Sequence, residues 1–427
     1  MQVGNDIEQQ WALLNAPKSA IAVDAPCTIG HGILQFSEAL AHLSDAAFAQ
    51  LNPLETLRFI PASGAASRMF AGLQSDDPSI QAQYQAAVEA LLGDASQDWA
   101  ALPKGAVPFH AGGRTAFADQ LTQWAATLPG APLMFTLPEV GADAPAWLAD
   151  LEAAAESAGV PMRNSVQLSS TQTIAQALDG SRFLDDSGQL LLRPGGHGAL
   201  IANLNALDTA FISVVNIDNV QPVSKQAPAI ASRRRLLGLA AHVMAAKQEA
   251  LRALEGPHPE TAAAQKWLAM GFSAPTNAPE NAPALDPQAL IDLLDRPFRI
   301  VGVVRNEGQP GGGPFWVRNN QGLATPQIIE RAELGTECEQ LLQTATHFNP
   351  VDMVLCGQGY DLNDWIDNSR WLHVDKTYKG RPLKGLERPG LWNGGMGRWN
   401  TLMVEVPTET FAPVKTVLDL SGPAHQG

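Results

Sequence analysis

Asp218 and Asn219 follow the run Phe211-Ile212-Ser213-Val214-Val215-Asn216-Ile217, which is rich in β-branched residues and nearly free of charge. Such a run predicts a strand covered on both faces. Ligands of open α/β sheets collect outside the carboxyl ends of the strands, so a carboxylate there could hold a divalent cation beside phosphate oxygens. The alternative for an Asp-Asn pair is a plain turn closed through its own backbone. Just upstream stands Arg193-Pro194-Gly195-Gly196-His197-Gly198, with three glycines in four positions. Without Cβ atoms a backbone can lie flat against a ligand. His197, among those glycines, could hydrogen-bond a base or a phosphate.

Two cationic segments join this set. Leu57-Arg58-Phe59-Ile60 predicts a short strand, and Pro61 to Ser67 a small-residue loop leading into a helix at Arg68-Met69-Phe70. Gly64, Ala65 and Ser67 leave the backbone N–H groups of that loop open to an anion. Arg68 could then grip phosphate oxygens in a fork, the alternative being a solvated arginine on a tight turn. The loop lacks the Gly-Lys-Ser/Thr of a P-loop and the glycine spacing of a dinucleotide fingerprint. Lys104, fixed between Pro103 and Gly105, is either a surface lysine or a point charge for phosphate.

These residues need elements to carry them. Strands are expected at Leu57–Ile60, Leu133–Leu137, Gln189–Leu192 and Phe211–Ile217, with a helix over Ala144–Ser157. That alternation is the signal of a largely parallel sheet. The reading divides the chain into an N-terminal helical segment (1–50), an α/β core (51–225), a helical insertion (226–297) and a C-terminal part that completes the core (298–427). In the insertion, Arg233-Arg234-Arg235 reads as a solvated face of a long helix. Ser273 to Pro287 reads as a loop ending in a helix cap at Asp286-Pro287. In the last part, Phe298–Val304 and Phe315–Val317 suggest a hairpin whose tip, with Glu307, is either a ligand-facing lid or a turn. Trp392 and Trp399 either stack on substrate or fill core. His110 is as readily structural as functional.

In chain order, Gly64 to Arg68, Lys104, Gly195 to Gly198 and Ile217-Asp218-Asn219 resemble the motifs of the nucleotide-sugar pyrophosphorylases. Pro194-Gly195-Gly196-His197-Gly198 is similar to the Pro-Gly-Gly-Asn-Gly of the UDP-sugar branch. Ala66 departs from the pattern, standing where Gly-x-Gly-Thr-Arg has a glycine. Across nearly its whole length the chain also resembles the bacterial family known as domain of unknown function 4301. That likeness runs through Phe59–Phe70, Pro103–His110, Leu192–Val220, Val304–Val317, His347–Asp352 and Lys384–Val417.

The pyrophosphorylase resemblance implies a nucleotidyltransferase fold of the glycosyltransferase-A type. This is an α/β fold, a mostly parallel central sheet flanked by helices, with helical and C-terminal β-containing additions. It implies transfer of a nucleotidyl group, UTP being the expected donor, to a sugar phosphate with release of pyrophosphate. Catalysis would fall to Arg68, Lys104 and a late lysine, for which Lys384 is the candidate and Lys376 and Lys415 the alternatives. Mg²⁺ would sit on Asp218. Gly64, Ala65, Ser67, Gly195, Gly196, His197, Gly198, Asn219, Glu307 and Asn393 would touch substrate. A metal-dependent glycosyltransferase and a non-catalytic nucleotide or sugar-phosphate binder are the competing readings.

Composition sets the outer bounds. Among 427 residues, 28 are Lys or Arg and 43 are Asp or Glu, for a formal net charge of −15. An acidic surface repels nucleic acid, so the expected partners are small phosphorylated molecules held in a local basic pocket. No apolar run approaches the roughly 20 residues that span a bilayer. Three scattered cysteines give neither a disulfide framework nor a zinc spacing. The first residues lack the pattern of a signal peptide, so a cytoplasmic location is expected.

Overall fold

All five side chains of Phe211–Val215 are buried, which is why this strand lies inside a sheet with both faces covered. In the computed structural model, residues 7–17, 20–93, 96–140, 144–255, 257–272, 285–308, 311–318, 323–335, 338–391 and 393–426 are described. The large sheet is built from β1 (Thr28–Ile29), β2 (Gly32–Leu34), β3 (Thr56–Pro61), β4 (Leu133–Leu137), β5 (Met162–Val166), β6 (Phe211–Val215), β7 (Phe298–Arg305), β8 (His347–Cys356) and β9 (Asn400–Glu405). Their order is β1-β2-β9-β7-β8-β6-β3-β4-β5. Every neighbouring pair is parallel except the two that β8 makes, with β7 and with β6. The expected mostly parallel α/β sheet is therefore what the chain forms.

Side chains alternate across this sheet as strand geometry requires. Ile60, Phe135, Val215 and Ile300 pack on one face against helices α1 (Ala116–Thr127) and α2 (Ala227–Leu254). Helix α1 starts on Thr115, whose hydroxyl accepts the Ala118 N–H at 3.2 Å. It turns Phe117, Leu121 and Trp124, spaced at helical intervals, toward the strands. On the other face Phe59, Ile212, Val214 and Val301 meet Leu200, Ile201 and Trp399. The expected helix cap is present, with Asp286 accepting the Ala289 N–H at 2.8 Å ahead of Pro287.

Several expectations need correction. The Gln189–Leu192 strand is reduced to Leu192–Arg193 and lies outside the large sheet. It edges a small antiparallel sheet with Thr173–Ala177, Arg381–Glu387 and Leu372–Tyr378. The hairpin expected after Phe298 is absent, because Gly312–Arg318 pairs with Ala324–Glu330 and Ala25–Pro26 instead of β7. Residues 1–50 are not simply helical, since β1 and β2 lie there. Arg233 is not solvated. It shares a helix face with Ala229, Leu236, Leu237 and Ala240, all buried, and is itself 1% exposed and paired with Asp352 at 3.1 Å. Trp399 fills core. Trp392 and most of the 273–287 loop lie outside the described residues. Among the described residues no helix is long and apolar enough to cross a membrane.

Candidate functional site

β3 and β6 are parallel neighbours, so their carboxyl ends bring the Arg68 loop and the Asp218 turn side by side. The loop is zipped to the Lys104 segment. Lys104 N–H donates to Gly64 O at 3.1 Å and Ala66 N–H to Leu102 O at 2.8 Å. Gly105 is needed there, because a Cβ would stand 2.5 Å from the Phe117 ring. Lys104 Nζ reaches Asp218 Oδ2 at 2.8 Å, so two residues far apart in sequence meet in a largely buried ion pair.

A second lysine completes the arrangement. Val414 N–H donates to Asp218 O and Val417 N–H to Met69 O, both at 3.0 Å. The chain between them is thus laid across the gap from the Asp218 turn to the Arg68 loop, and it carries Lys415. The Lys415 Nζ donates to the same Asp218 Oδ2 at 3.1 Å. Asp419 fixes this stretch by accepting the Lys415 N–H at 2.8 Å and the Thr416 N–H at 2.6 Å. Of the three late lysines considered, Lys415 is the one the structure brings to Asp218. Lys384 lies on the opposite face of its strand from Glu387, the residue that packs over Gly196. Lys376 is on the Glu387 face and pairs with it at 3.5 Å.

Asp218 Oδ1 is buried and has no hydrogen-bond partner among the described residues. Burial raises the Asp218 carboxyl, but Lys415 and Lys104 outweigh it and hold the group below the usual carboxylate range. The Lys104 ammonium is pulled below its ordinary value by burial. Asp218 opposes that shift, while Lys415 and Arg68 add to it. His197 keeps access to solvent and is partly desolvated by its surroundings. Burial lowers its imidazole against the pull of Glu387, and Arg68, Lys376 and Lys415 lower it further. The mouth of the cleft is thus a cluster of cations around one carboxylate.

The remaining expected residues divide. Gly64, Ala65, Ser67 and Arg68 are exposed at the cleft, and a Cβ on Gly64 would meet nothing within 4 Å. Arg68 lies on a short 3₁₀ turn, Ala66–Arg68, and not in a helix, so no helix dipole assists that loop. Gly195, Gly196 and Gly198 press on the protein's own chain. A Cβ would lie 2.3 Å from Thr171 O at Gly195, 2.8 Å from Glu387 at Gly196, and 2.3 Å from both Arg388 O and Pro389 O at Gly198. Asn219 does not face the cleft, because its carboxamide donates to Thr410 O at 3.2 Å and accepts the Ala412 N–H at 2.8 Å. Asn393 is buried and caps its own loop through Gly395 N–H at 2.9 Å. Glu307 is on an exposed turn after β7, two strands from β6.

Sequence reasoning missed two features. Glu330 lies within electrostatic reach of Glu387 and Lys376, and burial, with Glu333 and Glu387, raises its carboxyl to about 7. His110 Nδ1 meets Asp119 at 2.5 Å and its Nε2 meets His425 at 3.0 Å, which ties the segment beyond Lys415 to the start of α1. Each also draws on a residue far away in the chain, Glu387 for Glu330 and His425 for His110, which no local pattern announces. Beside the Arg68 loop opens a cavity of about 320 Å³ lined by Ser63, Ala65, Pro103, Pro138, Glu139 and Trp147.

This architecture is similar in fold to that of solved UDP-sugar pyrophosphorylases, whose sheet is of the nucleotidyltransferase-like α/β type. A uridine diphosphate N-acetylglucosamine pyrophosphorylase from Trypanosoma brucei superposes with a TM-score of 0.53 at 11% identity, over 97% of this chain and 74% of that one. A UDP-glucose phosphorylase of the same organism gives 0.50 at 14% identity, over 97% and 73%. At the level of sequence, the model of the family described as domain of unknown function (DUF4301) matches residues 2–82 and 74–426, and the chain belongs to that family. Comparison with the curated proteins gives no match.

Proposed function

We propose that the protein is a nucleotidyltransferase that joins a nucleoside triphosphate, UTP on the sequence likeness, to a sugar phosphate and releases pyrophosphate. The observation that carries this reading is the convergence of Lys104 and Lys415 on Asp218 beside the Arg68 loop, at the carboxyl ends of β3 and β6. An oxygen of the sugar phosphate attacks the α-phosphorus in line, the bond to the bridging oxygen of the β-phosphate breaks, and pyrophosphate leaves with that electron pair. The attacking oxygen is already ionised, so no protein nucleophile or base is required. What the protein supplies is position and positive charge. Asp218 holds both ammonium groups in place before substrate arrives, which removes reorganisation from the reacting step. Arg68 and the exposed backbone of Gly64, Ala65 and Ser67 receive the outer phosphates. The cavity beside Ser63 and Trp147 takes the nucleoside, and Glu330, Glu387 and Lys376 face the acceptor.

Among the described residues no group of three or more His, Cys, Asp or Glu could hold a metal alone. The orphaned Asp218 Oδ1 nevertheless suits a Mg²⁺ that brings most of its other ligands as phosphate oxygens and water. Bound there, the ion would draw charge from the phosphate oxygens.

Pyrophosphate release from the four nucleoside triphosphates, each offered with a panel of sugar phosphates, tests the reading. Release that needs both substrates, with return of labelled pyrophosphate into the triphosphate, is expected. Sugar transfer from a sugar nucleotide without pyrophosphate exchange would make it a glycosyltransferase. Binding without any turnover would make it a sensor of the same fold.

A further inference from the structure

Beneath the sheet, between β3, β8 and the two helices, runs a chain of buried polar side chains that ends on the Asp218 turn. Arg58, Gln120, Gln123, Arg233 and Asp352 are each at most 1% exposed. Arg233 donates through Nε to Asp352 at 3.1 Å and through Nη1 to Gln123 Oε1. Arg58 Nη2 donates to the same Gln123 oxygen at 3.1 Å and to Gln120 Oε1 at 2.6 Å. Guanidinium groups cannot accept, so Gln120 must turn its oxygen to Arg58 and its NH₂ the other way. That NH₂ donates to the carbonyls of Asn216 at 3.1 Å, Ile217 at 3.4 Å and Asn219 at 3.4 Å. These carbonyls bracket Asp218.

Two buried guanidinium groups against one carboxylate are a poor way to stabilise a core, and apolar residues of similar size would serve folding as well or better. Some donors also go without partners: Arg58 Nε and Nη1 and Arg233 Nη2 have none among the described residues. Backbone strain lies in the same network, for Val351, next to Asp352, has φ +57°, which β-branched residues rarely adopt. Strain and imperfectly satisfied charge persist where geometry matters more than stability.

We propose that Gln120, oriented by Arg58, is a positioning residue that holds the Asp218 carboxylate in register with Lys104 and Lys415. Its kinetic consequence rests on the nucleotidyl-transfer reading; its structural consequence does not. Gln120→Glu separates the two roles of the side chain. The carboxylate still accepts from Arg58 and balances its charge, but it can no longer donate to the three carbonyls.

In Gln120→Glu the expected results are an undiminished thermal midpoint, faster amide exchange over residues 216–220, and kcat lower by about 10²-fold with little change in KM, the scale of a misplaced reacting group. Wild-type kcat with wild-type exchange would overturn the proposal. So would a loss of kcat that merely follows a lowered melting temperature with wild-type exchange over residues 216–220. If Gln120→Glu fails to fold, the Arg58→Met/Gln120→Met pair removes the whole interaction without leaving a buried charge. Wild-type kcat in that pair would sink the proposal, and a kcat loss with fast exchange would support it. If the wild-type chain transfers no nucleotide, the function proposed above falls, while exchange at 216–220 still decides what Gln120 does.

Discussion

Two small-residue segments look alike in the sequence and serve opposite purposes in the structure. Around Gly64 the absent side chain leaves open space at the cleft. Around Gly198 it leaves room for the protein's own carbonyls, Arg388 O and Pro389 O, each of which a Cβ would meet at 2.3 Å. A glycine records that something comes close; whether that is a ligand or a neighbouring strand is settled by residues far away in the chain. Here the neighbour of Gly198 is contributed almost two hundred residues later.

The largest effect that would sharpen this contrast is expected from Gly198→Ala. A Cβ forced against two carbonyl oxygens has no flexible side chain to displace, so a loss of about 3 kcal/mol is expected, at the upper end for overpacking. Thermal melting checks it, and a variant as stable as wild type would break the distinction between the loops. Next come the cations. Lys104→Ala, Lys415→Ala and Arg68→Ala should each lower the rate of pyrophosphate release by about 10²-fold, the scale for removing one stabiliser of transition-state charge. Lys384→Ala should not, since that side chain points from the other face of its strand.

Asp218→Asn is expected to fold, to lose most turnover, and to need far more Mg²⁺ to recover any of it. A Mg²⁺ titration on the variant and wild type checks this, and superimposable curves would remove the metal role. It should also push Lys104 further down, because the largest influence raising that ammonium is gone.

Acid should act through the clasp that anchors Lys415. Burial, with help from His110, lowers the His425 imidazole from 6.5 to about 4. Between those values the unfolded chain binds a proton that the folded chain refuses, so stability falls as pH drops through the window. Melting at pH 7 and pH 5 should show the loss, and His425→Asn should flatten it. The smallest change belongs to Gly64→Ala, within about 0.5 kcal/mol of wild type, as for an exposed site with open space.

The meeting of Asp218 and Arg68 was legible because each follows a short, strongly patterned strand, and a parallel sheet gathers strand ends on one side. Lys104 stood out only between Pro103 and Gly105 and is brought there by backbone contacts with the Arg68 loop. Lys415 was only one of three lysines in contention. It reaches the site by a backbone path, from Asp218 O to Met69 O, that no local pattern announces. Asn219 was read as a substrate contact, while in the structure its amide meets a distant backbone, and an amide at a strand end looks the same in sequence either way. Arg233 did leave a trace. Its place on the apolar face with Ala229, Leu236 and Ala240 is readable by helical period, but a run of three arginines suggests solvent first. Gln120 carried the same trace, beside Phe117, Leu121 and Trp124.

The reversed strand β8 has a consequence for how the molecule comes into being. It lies between β6 and β7 in the large sheet and pairs with both. Until residues 347–356 have formed and slotted in, β6 offers a mostly apolar edge with its hydrogen-bonding groups unpaired. Such an edge recruits other strands, including those of neighbouring molecules. Long-range pairings of this kind are also slow to close. Refolding from denaturant should therefore pass through a sticky stage, and its yield should depend steeply on protein concentration.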